Sequence, residues 1–306
     1  MEHHHHHSEV TEGIKKGQAF AIGIALNTLF IGIEFTYGLI SRSVSLVADA
    51  AHNLGDVLGL ALAWGATVLA RQKPSHRRTY GFQKTTIIAA LVNALLILVA
   101  TGGVAWEAIK RLLAPRSVQG EIVTEIALLG VIINGGTALL FLQGKKRDAN
   151  MRGVFLHLMA DTGISLGVMM GGLLISKTGW LWIDPVVSLG VSVAIWVSTW
   201  SLLREAIDLS LDAVPGHIDF KKVQHYLTSL PGVCDVHDLH IWSMSTTEVA
   251  LTAHLVMCSI EDPRFLAKVS SSLHDRFSIE HTTLQVESVD SPTPCIFSCH
   301  SLARFN

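Results

Sequence analysis

The sequence contains few charged residues and few cysteines. Only 16% of its 306 residues are Asp, Glu, Lys or Arg, while 49% are hydrophobic, and this balance excludes an ordinary soluble enzyme of this length. The net charge of -2 argues against nucleic acid as a partner, which would require a strongly basic surface. The cysteines lie in the last quarter of the chain, outside the apolar segments, and do not form an oxidised secretory framework: Cys234, Cys258, Cys295 and Cys299.

The sequence also lacks the motifs of common hydrolases and nucleotide-binding enzymes. It contains no His-Glu-x-x-His pattern and no glycine-rich phosphate loop ending in Gly-Lys-Ser/Thr. Gly163-Ile-Ser-Leu-Gly167 matches the hydrolase nucleophile pattern, but that motif requires a strand-to-helix turn, which the middle of an apolar helix cannot provide. We therefore expect no enzymatic activity.

Six segments are long and apolar enough to cross a membrane core, which takes roughly 20 residues of helix. The first is not a signal peptide, because its apolar run is too long, it has no small-residue cleavage pattern, and it contains Glu34. The sequence thus predicts an all-α bundle of six transmembrane helices, at approximately 18–39, 46–70, 86–110, 120–143, 154–176 and 183–203.

Basic residues between these segments predict their orientation. Lys and Arg are concentrated before the first segment, between the second and third, and between the fourth and fifth. By the positive-inside rule these regions face the cytoplasm. Lys110, Arg111 and Arg116 argue the other way but are outnumbered. Both termini are therefore expected on the cytoplasmic side.

The composition changes after Arg204 to short, mixed segments interrupted by prolines. Hydrophobic periodicity predicts an αββαβ order, which is typical of a small two-layer α+β domain. The predicted helices are 219–229 and 262–277, and the predicted strands are 233–242, 248–257 and 282–289.

Four regions follow from these limits. They are a cytoplasmic tail at 1–17, the transmembrane domain at 18–207, a cytoplasmic domain at 208–290 and a cysteine-containing tail at 291–306. The five histidines of the first region, His3 to His7, have two interpretations, an expression tag or a native metal-binding tail, and no site is assigned to them.

Two membrane segments contain a His-x-x-x-Asp pair, His52 with Asp56 and His157 with Asp161. A spacing of four puts both side chains of a pair on one helix face, one turn apart. Two such helices facing each other provide two imidazole nitrogens and two carboxylates, which suits tetrahedral Zn²⁺, whereas an all-oxygen site would favour Mg²⁺, Ca²⁺ or Mn²⁺.

The alternative interpretation is that each pair only joins helices through polar contacts. Two copies with the same spacing favour the metal site, because ionisable groups at membrane depth are unfavourable and are usually functional. Asp49 lies on the same stripe, one turn nearer the outer face. Its interpretations are a partner that supports the ligands, a helix-packing contact or a vestibule ligand.

The sequence resembles the cation diffusion facilitator family over nearly its whole length. The matching motifs are Leu46-Val-Ala-Asp49-Ala-Ala-His52-Asn-Leu-Gly-Asp56, Arg152-Gly-Val-Phe-Leu-His157-Leu-Met-Ala-Asp161, Asp184-Pro185 and Val236-His-Asp-Leu-His-Ile-Trp242. The resemblance implies a zinc-selective transport site made of His52, Asp56, His157 and Asp161. It also implies a homodimer whose cytoplasmic domains have a ferredoxin-like fold.

The cytoplasmic domain contains further candidate ligands, some of which the resemblance implies bind regulatory zinc. They are His237, His254 and Glu287, with His240, His281, Cys295 and Cys299 as weaker candidates. His237 and His240 are three residues apart, so in a regular strand they point to opposite faces and cannot serve one site without a bulge. The loop run Tyr80-Gly-Phe-Gln-Lys84, with only His76 nearby, differs from the metal-binding loop of some bacterial members, and we expect no site there.

These features predict a proton-coupled antiporter that exports Zn²⁺, with Cd²⁺ and Co²⁺ as alternative substrates. Metal ligands must be deprotonated, so zinc displaces protons from the two histidines. Short loops and a short chain favour a bacterial inner membrane, and a vesicular membrane is the alternative in a eukaryote. Two other functions are open: a membrane-bound zinc sensor or buffer, and an intramembrane metalloenzyme, which four protein ligands disfavour because no position is left for water.

Overall fold

A computed structural model of the protein describes residues 27–141, 149–259 and 263–289. The histidine run, Cys295 and Cys299 lie outside these residues. The described chain forms two compact units, one within Met1–Ala61 and Asn93–Ser201 and the other within Leu62–Val92 and Leu202–Asn306. The first contains most of the helical bundle, and the second contains the αββαβ domain.

In the described part of the chain, six helices precede the αββαβ domain, and most of their described ends agree with the predicted segments to within a few residues. Helix α6 extends well beyond its predicted end at residue 203. Five of the helices are long and apolar enough to span a membrane, and α1 is described only from residue 27. Their bounds are α1 27–40, α2 Val44–Ala70, α3 Thr85–Leu113, α4 Gly120–Phe141, α5 Ala149–Thr178 and α6 Ile183–Ser210.

Large apolar side chains cover the outside of these helices. Trp64, Val99 and Val197 are each more than two-thirds exposed, at 74%, 74% and 71%. Apolar surface of this extent is unfavourable in water but suits hydrocarbon. The polar side chains face inward instead, and Glu34 and Asp49 are fully buried.

The N-terminus of α2 is fixed by a carboxylate from another helix. The side chain of Ser43 accepts a hydrogen bond from the backbone N–H of Leu46 at 3.1 Å, as an N-cap residue does. Asp184, at the start of α6, accepts hydrogen bonds from the N–H groups of Val44 and Ser45 at 2.7 and 3.3 Å and from the Ser43 hydroxyl at 2.5 Å. Asp184 thus satisfies donors that a helix start leaves unpaired and joins α6 to the helix that carries His52.

Helices α4 and α5 approach each other closely at two glycines. A Cβ atom added at Gly172 would lie 2.9 Å from the carbonyl oxygen of Gly120 and 2.8 Å from the Thr124 hydroxyl. No side chain fits there without moving backbone, so glycine is required for this approach.

The cytoplasmic part contains α7 Phe220–Thr228, β1 Val233–Ser243, β2 Val249–Met257, α8 Phe265–Phe277 and β3 His281–Ser288. This αββαβ order is the one that the sequence predicts. The strands form one sheet in the order β1-β2-β3, with β1 and β2 antiparallel and β2 and β3 parallel. Buried residues of α7, α8 and the central strand form its core: Val223, Leu227, Val269, Leu273, Leu251 and Leu255.

Replacing Gly172 with Val should destabilise the bundle by about 1–3 kcal/mol, as overpacking of a close contact generally does, because the new side chain meets the backbone of α4. Thermal unfolding of the purified protein in detergent measures this change. The matched control is Gly163→Ala on the same helix, where an added Cβ has nothing within 4 Å among the described atoms. Equal stability of the Gly172→Val and Gly163→Ala proteins would contradict the packing of α4 against α5.

Candidate metal centres

Helices α2 and α5 bring the two His-x-x-x-Asp pairs together. His52 Nε2 lies 3.8 Å from Asp56 Oδ2 on its own helix and 3.4 Å from Asp161 Oδ1 on α5. His157 Nε2 lies 3.6 Å from Asp161 Oδ2 on its own helix and 3.4 Å from Asp56 Oδ2 on α2. Each imidazole therefore faces both carboxylates, and the four side chains form one cluster.

These separations are close to those of ligands around a single zinc ion. Zinc bonds to nitrogen and oxygen of about 2.0–2.2 Å place neighbouring atoms of a tetrahedron about 3.3–3.5 Å apart. The four histidine–carboxylate separations lie between 3.4 and 3.8 Å. Three of the residues, His52, Asp56 and Asp161, each offer one ligand atom within 4.8 Å of the others. His157 is not part of that group of three, although its Nε2 lies 3.4 Å from Asp56 Oδ2. The geometry suits a dication held by His52, Asp56 and Asp161, with His157 beside them.

The cluster is partly shielded, with one accessible side. The side chains of Asp161 and His52 are 5% and 12% exposed, whereas that of His157 is 50% exposed. Asp56 Oδ2 and Asp161 Oδ1 are buried and have no hydrogen-bond donor in the described part of the chain. A buried carboxylate oxygen without a donor is unfavourable, and a bound cation would supply the missing partner.

Asp49 lies outside this cluster. Its side chain is fully buried and accepts a hydrogen bond from the Ser165 hydroxyl of α5 at 2.8 Å. The side-chain amide of Asn53 lies 3.4 Å from Asp49 Oδ1 and 3.2 Å from Glu34 Oε2. The hydrogen bond from Ser165 joins α2 to α5 through Asp49.

A second cluster lies on the cytoplasmic sheet and contains His237, His254 and Glu287, with one ligand atom of each within 4.8 Å of the others. Strand register explains it: His237 on β1 pairs with His254 on β2, and Glu287 on β3 is two residues beyond the partner of His254, so it points to the same face. Glu287 lies 3.3 Å from His237 Nε2 and 3.0 Å from His254 Nδ1.

His240 and His281, the weaker ligand candidates, do not belong to this second cluster. The register shifts between His237 and His240, so the strand does contain the bulge that both histidines would need to share a site. His240 nevertheless remains exposed, with Nε2 3.1 Å from Asp238 Oδ1. His281 is exposed at the start of β3, where its ring meets that of Tyr80 edge-on at 6.1 Å between centroids.

Asp238 lies beside this cluster, and sequence reasoning did not single it out. It is the bulged residue of β1 and has a positive φ of 52°, a conformation that Asp tolerates better than most residues. Its Oδ2 lies 3.6 Å from His254 Nε2, on the side of the imidazole opposite to Glu287. A carboxylate in this position can orient a metal-binding histidine. The sequence run His237-Asp-Leu-His240 contains Asp238, but only the bulge in β1 turns its carboxylate toward His254.

The charge state of Glu287 also suits a cation. Burial by itself raises the pKa of its carboxyl, but hydrogen bonds from His237 and Gln285 and the charges of His237 and His254 hold the pKa below its usual value. Glu287 is therefore ionised at neutral pH, although its side chain is almost fully buried.

Cys234 and Cys258 form a disulfide in the structure, with 5.8 Å between their Cα atoms. Sequence reasoning did not predict this pairing. Its physical cause is the antiparallel register, because the neighbouring residues Val233 and Met257 are partners at the ends of β1 and β2. The separation is within the range that disulfides require.

The loop between α2 and α3 contributes to neither cluster. His76 is exposed, and no group of three candidate ligands includes it among the described residues. The loop makes contacts of another kind: Lys84 forms an ion pair with Asp212 at 2.7 Å, and Gln83 donates a hydrogen bond to Glu248 at 2.6 Å.

Comparisons with known proteins agree with this architecture. Residues 20–209 match the cation efflux transmembrane domain, and residues 215–289 match the cytoplasmic domain of cation efflux proteins. The chain is 33% identical to the metal cation efflux system protein CzcD of Cupriavidus metallidurans, over 88% of this chain and 86% of that protein.

Two further relatives have names that specify their cargo. The zinc transporter ZitB of Escherichia coli is 32% identical, with 88% of this chain and 86% of ZitB covered. The cadmium, cobalt and zinc/H(+)-K(+) antiporter of Bacillus velezensis is 31% identical, with 94% and 92% covered.

The matches cover the helical bundle and the αββαβ domain alike, and they confirm the resemblance that the motifs indicate. The chain belongs to the cation diffusion facilitator family of cation efflux proteins, which are multi-pass membrane transporters and not enzymes.

Proposed function

We propose that the protein exports Zn²⁺ from the cytoplasm through a transport site formed by His52, Asp56, His157 and Asp161. The observation that carries this proposal is the mutual approach of two imidazoles and two carboxylates on α2 and α5, at 3.4 to 3.8 Å. Nitrogen and oxygen ligands in equal number suit Zn²⁺. Cd²⁺ and Co²⁺ are alternative substrates, in line with the name of the Bacillus velezensis relative.

We propose that zinc is exchanged for protons. Each histidine Nε2 that faces the carboxylates can hold a proton or a metal, but not both. Arrival of zinc therefore releases protons, and reprotonation favours zinc release. The helices are proposed to rock around this site so that it opens to one side of the membrane at a time. The name of the Bacillus velezensis relative, which includes H(+), supports the same exchange.

The cytoplasmic domain, proposed at 208–290, is assigned a regulatory role. His237, His254 and Glu287 are proposed to bind a regulatory Zn²⁺, and the protein to act as a homodimer with both termini in the cytoplasm. The proposed location is a bacterial inner membrane. The three ligand atoms within 4.8 Å of one another and an ionised Glu287 support metal binding there.

A membrane-bound zinc sensor or buffer is the second candidate function. The observation that favours it is the second cluster itself, because a protein that only transports has no need of one. Zinc flux through the purified protein separates the two functions, since a sensor binds zinc without moving it across a membrane.

Asp56→Asn should abolish zinc transport, because it removes the carboxylate oxygen that faces both histidines. The expected loss in zinc flux into proteoliposomes exceeds about 100-fold, beyond the 10–100-fold effect of removing a group that only supports a ligand. Asp208→Asn on α6, which is exposed, is the matched control and should transport normally. Transport by Asp56→Asn at the control rate would overturn the transport site.

Glu287→Gln should remove about one tightly bound zinc per chain, measured by equilibrium dialysis of the full chain in an Asp161→Asn background that disables the transport site. Affinity at the intact cluster should fall as the pH drops, because protons compete with the metal for the ligand atoms. Glu287 protonates only at lower pH, since its pKa is lowered. The control His281→Ala should leave zinc binding unchanged, and the same loss in both variants would contradict the three-residue cluster.

Asp238→Asn should weaken zinc binding at the cytoplasmic cluster by about 10-fold without removing it, because an amide orients His254 less strongly than a carboxylate does. Asn tolerates the positive φ of this position, so the strand should keep its bulge. Asp235→Asn, on the same strand, is the control. Zinc titration of the full chain in the Asp161→Asn background gives the affinities, and equal values for both variants would show that Asp238 has no orienting role.

A further inference from the structure

Two carboxyl groups that the transport site does not use are buried next to each other in the bundle. Glu34 on α1 and Asp49 on α2 are both 0% exposed, and the side-chain amide of Asn53 lies within hydrogen-bonding distance of both carboxyl groups. Asn53 approaches both, with its amide nitrogen 3.2 Å from Glu34 Oε2 and 3.4 Å from Asp49 Oδ1. The pair thus spans two helices.

The neutral donors around this pair leave one oxygen without a partner. The Ser165 hydroxyl donates to Asp49 Oδ2 at 2.8 Å. Glu34 Oε1 is buried and has no hydrogen-bond partner among the residues that the structure describes. No Lys or Arg in that part of the chain forms an ion pair with either carboxylate. Among the described residues, therefore, no basic side chain neutralises the two carboxyl groups. Glu34 Oε1 accepts no hydrogen bond there.

Such a pair is much more stable with one proton than with none. Two ionised carboxylates in contact repel each other strongly, and burial away from water makes each charge unfavourable. Paired carboxylates in proteins share a proton for this reason. A shared proton would lie between Glu34 and Asp49 and remove the second negative charge. The unpartnered Glu34 Oε1 is consistent with a carboxyl that carries this proton.

The pair is next to both helices that hold the transport site. Asp49 precedes His52 by three residues, a rise of about 4.5 Å along α2, and its partner Ser165 follows Asp161 by four residues on α5. Among the residues that the structure describes, His52 on α2 and Asp161 on α5 are the transport-site groups whose charges act on Asp49. A dication bound between α2 and α5 adds positive charge beside the pair and favours the loss of its proton.

We propose that Glu34 and Asp49 form a proton-binding site that carries one of the counter-protons of transport. The shared carboxyl proton leaves as H⁺ to the solution when the dication binds, and both groups are then ionised carboxylates. Release of the dication allows one proton to return. This inference rests on the proposed zinc–proton exchange and adds a proton carrier that is not itself a metal ligand.

The test uses the full chain reconstituted in proteoliposomes, with zinc-sensitive and pH-sensitive dyes inside. Glu34→Gln has the shape of a protonated Glu and cannot release a proton. We expect it to move zinc with a proton-to-zinc ratio lower by about one than the intact protein, and with a weaker pH dependence. Asp49→Asn should lower the ratio in the same way. The control Glu125→Gln, at an exposed position of α4, should keep the ratio of the intact protein.

A second measurement does not require transport. Infrared difference spectra of the full chain should show that zinc addition removes the C=O band of a protonated carboxyl, and this signal should be absent in Glu34→Gln and in Asp49→Asn. If both variants keep the proton-to-zinc ratio and the C=O band change of the intact protein, the carboxyl pair is not a proton-binding site, while the zinc–proton exchange still stands. Zinc flux through the intact protein with no counter-movement of protons would overturn the exchange itself.

Discussion

Ionisable side chains inside a membrane bundle must be neutralised by one another, by a proton or by a bound ion. The four ligand candidates on α2 and α5 meet this requirement together, since each imidazole faces both carboxylates. Removing a proton or a metal from such a cluster leaves negative charge in a poorly solvated place. Metal and proton can therefore compete for the same atoms, and this competition is the physical basis of the proposed exchange.

This arrangement depends on how firmly the two helices are held. Asp184 fixes the start of α2 from α6 through backbone and hydroxyl donors, and the Gly120–Gly172 contact brings α4 against α5. Helices in lipid gain little from apolar burial against each other, so close packing and polar contacts determine their positions. Ser165 adds a direct link between α5 and Asp49. The same contacts connect the carboxyl pair to the helices that would move.

The cytoplasmic sheet also brings ionisable side chains together, but it does so through strand pairing instead of helix packing. Its cluster takes one residue from each of three strands, and strand register alone determines that His237, His254 and Glu287 meet. The bulge at Asp238 turns a carboxylate toward the far side of His254. A metal bound there would join the three strands, so its occupancy is linked to the order of the sheet. The disulfide joins the ends of the same two strands, β1 and β2.

The sequence by itself determined the helices, the αββαβ order and the pairing of His52 with Asp56 and of His157 with Asp161, because helix period and hydropathy are local properties. It also listed the three cytoplasmic ligand candidates among others, and the family resemblance added a regulatory role for some of them. The tertiary structure alone decided that Asp49 accepts a hydrogen bond from Ser165 on α5. It likewise decided the bulge at Asp238, the disulfide and the Gly172 contact. Each of these depends on which helix or strand lies opposite and in which register, and no local sequence pattern contains that information.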